Sequence, residues 1–239
     1  MHLLITNDDG IESKGLEILV EWAKTIGQPV VIIPKSHCSG KSHAINFIEP
    51  FEVKKVSDYH GVPTYIVDST PADCVRIGIC LYHLPCDMVL SGINLGINVG
   101  IDTLYSGTCA AVAEGAALGY PGIAFSVFPD SLDDLKEQLE QTWSYLRQKG
   151  ILEKVKHLNI NFPKNPEGFA FTKFGGPYIR DHFEETDSNI FMARGYSVYE
   201  PAQNCDDDLH AVMNHLISIS PMTIDKTDYE ELRWLKQLK

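Results

Sequence analysis

The sequence predicts an α/β fold: a doubly wound, mainly parallel, Rossmann-like sheet followed by a C-terminal segment of different texture. Three observations carry this. Short, continuous apolar runs alternate with helix-like segments through the first half of the chain, the pattern of strands buried on both faces by helices. Three polar clusters, Asn7-Asp8-Asp9, Ser36 to Ser42 and Ser91 to Asn98, follow such runs, and ligands of open α/β sheets bind beyond the carboxyl ends of the strands. From about residue 164 the periodicity weakens and Gly, Pro and aromatic residues increase. The expected division is a catalytic core over 1–163 and an extension over 164–239 that packs on it.

The elements follow in order. Leu3 to Thr6 is a short strand, and Asn7-Asp8-Asp9-Gly10 a polar turn. Leu16, Leu19, Val20, Ala23 and Ile26 recur at helical spacing, so residues 14–26 form an amphipathic helix. Pro29 to Pro34 and Pro63 to Val67 are buried strands, and Pro71 opens a helix through Val75 and Ile79. Met88 to Leu90 leads into a glycine-rich turn, residues 108–118 form a tightly packed helix of small residues, and Gly122 to Val127 is a strand. Residues 131–149 form a surface helix, acidic early and basic late, which suits the helix dipole. A short helix near Asp208 to His215, a strand Leu216 to Ser220 and a charged terminal helix complete the chain.

Composition narrows the function. A net charge of −12 argues against nucleic-acid polymers and anionic membranes, which call for a basic surface. An acidic protein still binds a small phosphate where a metal ion supplies the positive charge. No apolar run approaches the ~20 residues of a membrane span. The N-terminus, which meets two aspartates at once, lacks the pattern of a secretory leader. The expected compartment is the cytoplasm. The six cysteines form no C-x-x-C pair and read as buried, reduced thiols.

Four motifs offer chemistry, each with a plainer reading beside it. Asp8 and Asp9 after a strand are costly unless a cation binds them; the alternative is a helix-capping turn. Ser39-Gly40-Lys41-Ser42 imitates the end of a Walker A loop, yet Lys35 stands where that loop needs glycine. A small-residue loop holding a metal-bound phosphate fits better, and a surface turn is the alternative. Asn94 offers a neutral carbonyl oxygen to a metal within a turn that glycines alone would explain. Ser106-Gly107-Thr108 opens a helix, a seat for phosphate or an ordinary cap. His37 and His43 read as solvent-exposed, and Asp206-Asp207-Asp208 as a solvated helix start.

Taken in order, the motifs resemble the SurE (survival protein E) family. The resemblance rests on Thr6-Asn7-Asp8-Asp9-Gly10-Ile11, Ser39-Gly40 with Ser42, Thr70-Pro71-Ala72-Asp73-Cys74-Val75, Ser91-Gly92-Ile93-Asn94, Tyr105-Ser106-Gly107-Thr108 and Asn159-Ile160-Asn161-Phe162-Pro163. It departs at Cys38, where arginine is frequent, at Ser69, and at Cys109-Ala110.

The resemblance implies a metal-dependent phosphomonoesterase that hydrolyses nucleoside 5′(3′)-monophosphates, with short polyphosphate as a further substrate. It implies one divalent cation, Mg²⁺ or Mn²⁺, per subunit on Asp8, Asp9, Ser39 and Asn94. Asp8, Asp9 and Asn94 would serve catalysis, and Asn7, Gly40, Ser42, Ser106, Gly107 and Thr108 would contact phosphate. The C-terminal extension would assemble a homodimer or homotetramer, an expectation strengthened by its aromatics Phe169, Phe171, Phe174, Tyr178, Phe183, Phe191, Tyr196 and Tyr199. The rivals are a nucleotide- or metal-sensing oligomer without catalysis, and a P-loop NTPase.

Overall fold

The computed structural model describes residues 1–129, 131–201 and 206–238. A nine-stranded sheet forms its centre, in the order β3-β4-β2-β1-β5-β6-β7-β11-β8. The strands are β1 His2–Thr6, β2 Gln28–Pro34, β3 Val53–Tyr59, β4 Val62–Val67, β5 Met88–Leu95, β6 Gly122–Val127, β7 His157–Phe162, β8 Gly168–Phe171 and β11 Leu216–Pro221. From β4 to β7 every neighbouring pair is parallel, while β3 against β4 and β11 against β7 are antiparallel. The chain runs outward from β1 through β2 to β4, then returns to β5 on the other flank of β1 and proceeds to β7. Strand order therefore reverses between β1 and β5, the switch point at which doubly wound sheets open a crevice.

Alternation along the strands supplies both faces. Leu3 and Ile5 of β1 join one core with Leu16, Leu19, Val20 and Trp22 of helix α1 (Lys14–Ile26) and with Leu139 and Trp143 of α4 (Leu135–Gln148). Trp22 lies edge-on to Phe125 and Trp143 at 5.9 and 5.7 Å. Leu4, Ile32, Val67 and Val89 face the other way, toward Cys74 and Val75 of α2 (Pro71–Arg76) and Ala111 of α3 (Gly107–Ala117). Helix α2 is capped by Thr70, whose hydroxyl accepts from Asp73 N, and continues into a π-helical turn over Ile77–Leu81.

The structure adds strands that the sequence pattern hides. Strand β3 is a lysine-bearing edge strand with no fully buried residue. Strand β7 carries Asn159 and Asn161, both completely buried, which break its apolar run. Beyond the short α5 (Ile151–Lys154), Phe169 and Phe171 of β8 stack on Tyr145 of α4 at 4.2 and 6.2 Å. Strands β9 (Ile179–Asp187) and β10 (Ile190–Ser197) form a separate antiparallel ribbon whose residues are all exposed. Phe183, Phe191 and Tyr196 lie on it. The terminal helix α7 (Tyr229–Lys236) buries no residue.

The acidic run at 206–208 is not a solvated helix start. Asp207 caps α6 (Asp208–Met213) by accepting from His210 N, and Asp208 is fully buried. Its Oδ2 accepts from Gly100 N at 2.8 Å, and its Oδ1 from Gly175 N at 3.0 Å and Leu209 N at 2.9 Å. A carboxylate has acceptor sites enough for all three donors, so Asp208 ties the glycine-rich loop after β5 to the chain after β8. Burial, opposed by these three bonds, pushes its carboxyl above the usual carboxylate range. Asp208→Asn turns one acceptor oxygen into a donor that faces a backbone N–H. The expected loss of stability is about 2–3 kcal/mol, read as a lowered urea midpoint with an unchanged slope.

Candidate active site

Three chain segments meet at the switch point. The first is the turn after β1. Asn7, fully buried, closes it on itself: its amide nitrogen donates to Gly10 O at 2.8 Å and its Oδ1 accepts from Gly10 N at 3.2 Å. This fold of the backbone lets the adjacent Asp8 and Asp9 leave the strand without being sent to opposite faces. The Asp8 side chain is buried and its Oδ1 accepts from the Thr108 hydroxyl at 2.7 Å. Desolvation, with the neighbouring Asp9 carboxylate, holds the Asp8 carboxyl above the usual range against the pull of that bond. Asp9 is partly open, with 18% of its side chain exposed.

The second segment is the loop after β2. Cys38 N donates to Asp8 O at 2.8 Å, which docks the loop on the first turn. His37 Nε2 lies 3.2 Å from Asp9 Oδ1 and 2.9 Å from Ser39 Oγ, so one imidazole bridges the carboxylate and the hydroxyl. Gly40 and Ser42 adopt positive φ of 69° and 56°. Ser42 Oγ donates to Leu104 O at 2.6 Å and its N–H to Tyr105 O at 3.0 Å. The Ser42 hydroxyl proton is thus committed to the fold, and a ligand meets only its acceptor lone pairs. Residues 43–52 form no helix, which removes the P-loop alternative, since that motif must run into one.

The third segment joins the ends of β5 and α3. Leu95 N donates to Asp9 Oδ2 at 3.4 Å, joining the β5 end to the β1 turn. The peptide Gly92–Ile93 is cis, and Gly92 has φ of 125°. A Cβ there would lie 2.3 Å from Phe125 O, so only glycine fits. Asn94 Nδ2 donates to Gly96 O at 2.7 Å, which fixes the amide and leaves its Oδ1 free to accept. Asn98 anchors the following loop: its N–H donates to Asn161 Oδ1, its Nδ2 to Ser126 Oγ, and its carbonyl accepts from Asn159 and Asn161. A 3-10 turn over Gly100–Tyr105 then delivers Ser106, the cap of α3, whose hydroxyl accepts from Cys109 N at 3.1 Å. The first N–H groups of that helix, on Gly107 and Thr108, have no intrahelical carbonyl within reach.

The structure thus brings Asp8, Asp9, Ser39, Asn94, Ser106, Gly107 and Thr108 to one end of the sheet. Among the described residues neither Asp8 nor Asp9 pairs with Lys or Arg. Nor do three His, Cys, Asp or Glu side chains gather to hold a metal. A cation here would therefore draw on neutral oxygens beside the two carboxylates. Such an all-oxygen set of Asp8, Asp9, the Ser39 hydroxyl and the Asn94 amide suits hard cations such as Mg²⁺ or Mn²⁺.

The comparisons with known proteins agree on one family. The family described as "Survival protein SurE" matches residues 3–181. The chain belongs to the SurE family. It is 35% identical to the "5'-nucleotidase SurE" of Caldanaerobacter subterraneus subsp. tengcongensis, across 99% of this chain and 97% of that one. It is 34% identical to the "5'-nucleotidase SurE 1" of Thermus thermophilus, across 100% and 98%. The crystal structure of the SurE protein from Aquifex aeolicus superposes with a TM-score of 0.82 at 31% identity, covering 100% of this chain and 99% of that one.

His37 and His43 are exposed, as the sequence suggests, and each also has a partner. His37 bridges Asp9 and Ser39, and His43 pairs with Glu114 of α3 at 2.7 Å. The available signal was position: His37 stands two residues before Ser39 in the same loop.

Gly107 is where packing and site coincide. A Cβ at this position would sit 3.1 Å from Asp8 Cβ and Oδ2 and 3.2 Å from Pro71 Cγ. Gly107→Ala is expected to displace the Asp8 carboxylate by a few tenths of an ångström. The expected consequence is a fall in phosphatase kcat/KM of about 10- to 100-fold, with a melting temperature close to that of the wild type. Unchanged kinetics would show that Asp8 need not be held where it is.

Proposed function

We propose that this SurE-family chain is a divalent-metal-dependent 5′-nucleotidase that hydrolyses nucleoside monophosphates to nucleoside and phosphate, with Asp8, Asp9, Ser39 and Asn94 as the metal ligands. The single observation that carries the residue assignment is the buried Asp8 carboxylate. It stands beside a second carboxylate at the sheet's switch point, and neither has a Lys or Arg partner among the described residues. The names of full-length relatives at 34–35% identity support the reaction.

When bound, a divalent ion polarises a phosphoryl oxygen and lowers the pKa of a water molecule. The protein's part is to place and hold. Asp8, locked by Thr108, fixes one carboxylate, while the more open Asp9 would accept a hydrogen bond from, and so aim, an attacking water. Asn94, oriented by its bond to Gly96, adds an oxygen without adding charge. Asn7 holds the shape of the turn. Phosphate sits against Gly40 and the start of α3, where Gly107 and Thr108 offer N–H groups, Ser106 its hydroxyl, and the helix dipole its positive end. Ser42, whose N–H and hydroxyl proton go to Tyr105 O and Leu104 O, shapes the loop around it.

The occupancy is one Mg²⁺ or Mn²⁺ per subunit, and short polyphosphate presents the same terminal group as a further substrate. Among the described residues no helix is long and apolar enough to cross a membrane. Cys38, Cys74, Cys80, Cys86 and Cys109 are free thiols, which suits a cytoplasmic setting. The catalytic core spans 1–163, and the extension 164–239 assembles a homodimer or homotetramer. Exposed Phe183, Phe191 and Tyr196 on the ribbon, and Trp234 and Leu235 on α7, supply the apolar surface.

Two measurements test this. Phosphate release from AMP and GMP should vanish in chelator and return with Mg²⁺ or Mn²⁺. Asp8→Asn should lower it by about 10²-fold or more in a folded protein. Activity that survives chelation would overturn the metal assignment. Light scattering at dilute concentration should give at least twice the 26.7 kDa chain mass, and deletion of the ribbon, residues 179–197, should lower that mass. A stable, active monomer would refute the assembly.

A further inference from the structure

The crevice does not stop at the proposed phosphate seat. A cavity of about 310 Å³ opens beside it, bounded by Gly96, two residues beyond Asn94, and by Tyr105, the residue before Ser106. Phe128 closes it from the end of β6, and Tyr178 and Asp181 from the root of the β9–β10 ribbon. Its size is at the lower end of small-molecule sites, roughly 300–1,000 Å³. That is room for one planar heterocycle and its sugar.

The wall is built, not accidental. Asp102 Oδ2 accepts from Tyr178 N at 3.0 Å and Ile179 N at 2.9 Å, so the 3-10 turn that carries Tyr105 also clamps the base of the ribbon. This carboxylate is therefore occupied by the fold. Asp181 differs: among the described residues its carboxylate takes part in no hydrogen bond or ion pair, yet it lines the cavity. Aromatic faces at Tyr105, Phe128 and Tyr178 suit stacking with a base, which any base satisfies. The carboxylate does not suit every base, because an ionised Asp only accepts.

We infer that this cavity holds the base of the nucleotide substrate and that Asp181 makes it selective for guanine. The inference rests on the nucleotidase reading above. Guanine presents two adjacent donors, N1–H and the exocyclic N2 amine, which match the two oxygens of one carboxylate. Adenine presents a single amine beside the N1 lone pair, which the carboxylate repels. Cytosine offers one amine beside an acceptor, and uracil one N–H between two carbonyls. Asp181 is exposed in the free chain, so water satisfies it when the base cannot. The discrimination comes from the two paired donors and from repulsion of the adenine N1 lone pair, and is modest beside that of a buried site.

The test is a substrate comparison on the metal-loaded full chain: kcat/KM for GMP, AMP and CMP, with p-nitrophenyl phosphate as a phosphomonoester without a base. The wild type should prefer GMP over AMP by at least fivefold. Asp181→Asn, at an exposed position where folding is not at risk, should bring that ratio to within twofold of one, chiefly by raising KM for GMP. Tyr105→Ala should raise KM for all three nucleotides and leave the GMP-to-AMP ratio in place. A wild type without preference for GMP, or a ratio that Asp181→Asn does not move, overturns the inference and leaves the phosphatase reading standing. Failure to release phosphate from p-nitrophenyl phosphate and nucleotides alike overturns the phosphatase reading, and the inference with it.

Discussion

The bond from the Thr108 hydroxyl to Asp8 Oδ1, 2.7 Å long and spanning 100 residues of sequence, is the constraint on which the rest of the site depends. It joins the end of β1 to the start of α3 in a buried setting, where desolvation already disfavours the charged form of Asp8. One donated hydrogen bond does not offset the removal of a carboxylate from water. The fold tolerates the arrangement because everything around it is fixed first. Asn7 closes the turn, Cys38 N docks the next loop on Asp8 O, and Gly107 brings the helix backbone so close that a Cβ on it would lie 3.1 Å from the Asp8 side chain. The site is a costly electrostatic arrangement held by a rigid sheet, the usual relation between function and local cost.

Much of this is legible in the amino-acid sequence alone. Continuous apolar runs mark β1, β2, β4 and β6, and 3.6-residue spacing marks α1, because those elements obey the simple patterns of burial on two faces or on one. What the pattern misses has physical reasons. Strand β7 alternates His, Asn and Asn with apolar residues, and its asparagines face inward to hold Asn98 rather than outward to water. Strands β9 and β10 carry charged side chains on an exposed ribbon, so no hydrophobic period marks them. The three aspartates at 206–208 illustrate the limit most sharply. A run of like charge reads as solvated, yet Asp208 is buried because backbone donors from Gly100 and Gly175, distant in sequence, converge on it. Nothing local in the sequence announces donors that arrive from elsewhere.

Those distant donors also explain how the second half of the chain serves the first. Asp208 holds the loop after β5 at Gly100, Asn159 and Asn161 hold the same loop at Asn98, and Asp102 in turn holds the ribbon at Tyr178 and Ile179. The loop that carries Asn94 at one end and Ser106 at the other is thus anchored at three points by chain beyond residue 156. Residues 164–239 therefore contribute to the geometry of the crevice within a single chain, whatever they also contribute between chains.

Charge sets the order of events at the site. A phosphate dianion approaching a chain of net charge −12 meets repulsion at long range, and near the site it meets Asp8 and Asp9. At 4 Å a like-charged pair costs about 4 kcal/mol at an effective dielectric of 20. The first N–H groups of α3 supply only the fraction of a unit charge that a helix dipole provides, and His37 is already engaged with Asp9 and Ser39. Dipoles and one imidazole do not balance two carboxylates and a dianion. Under the proposed reading a divalent cation must be in place before phosphate can settle, so that metal occupancy precedes and gates substrate binding. Under the same reading the remaining affinity comes from the N–H groups at the start of α3 and from the aromatic faces of Tyr105, Phe128 and Tyr178 beside it.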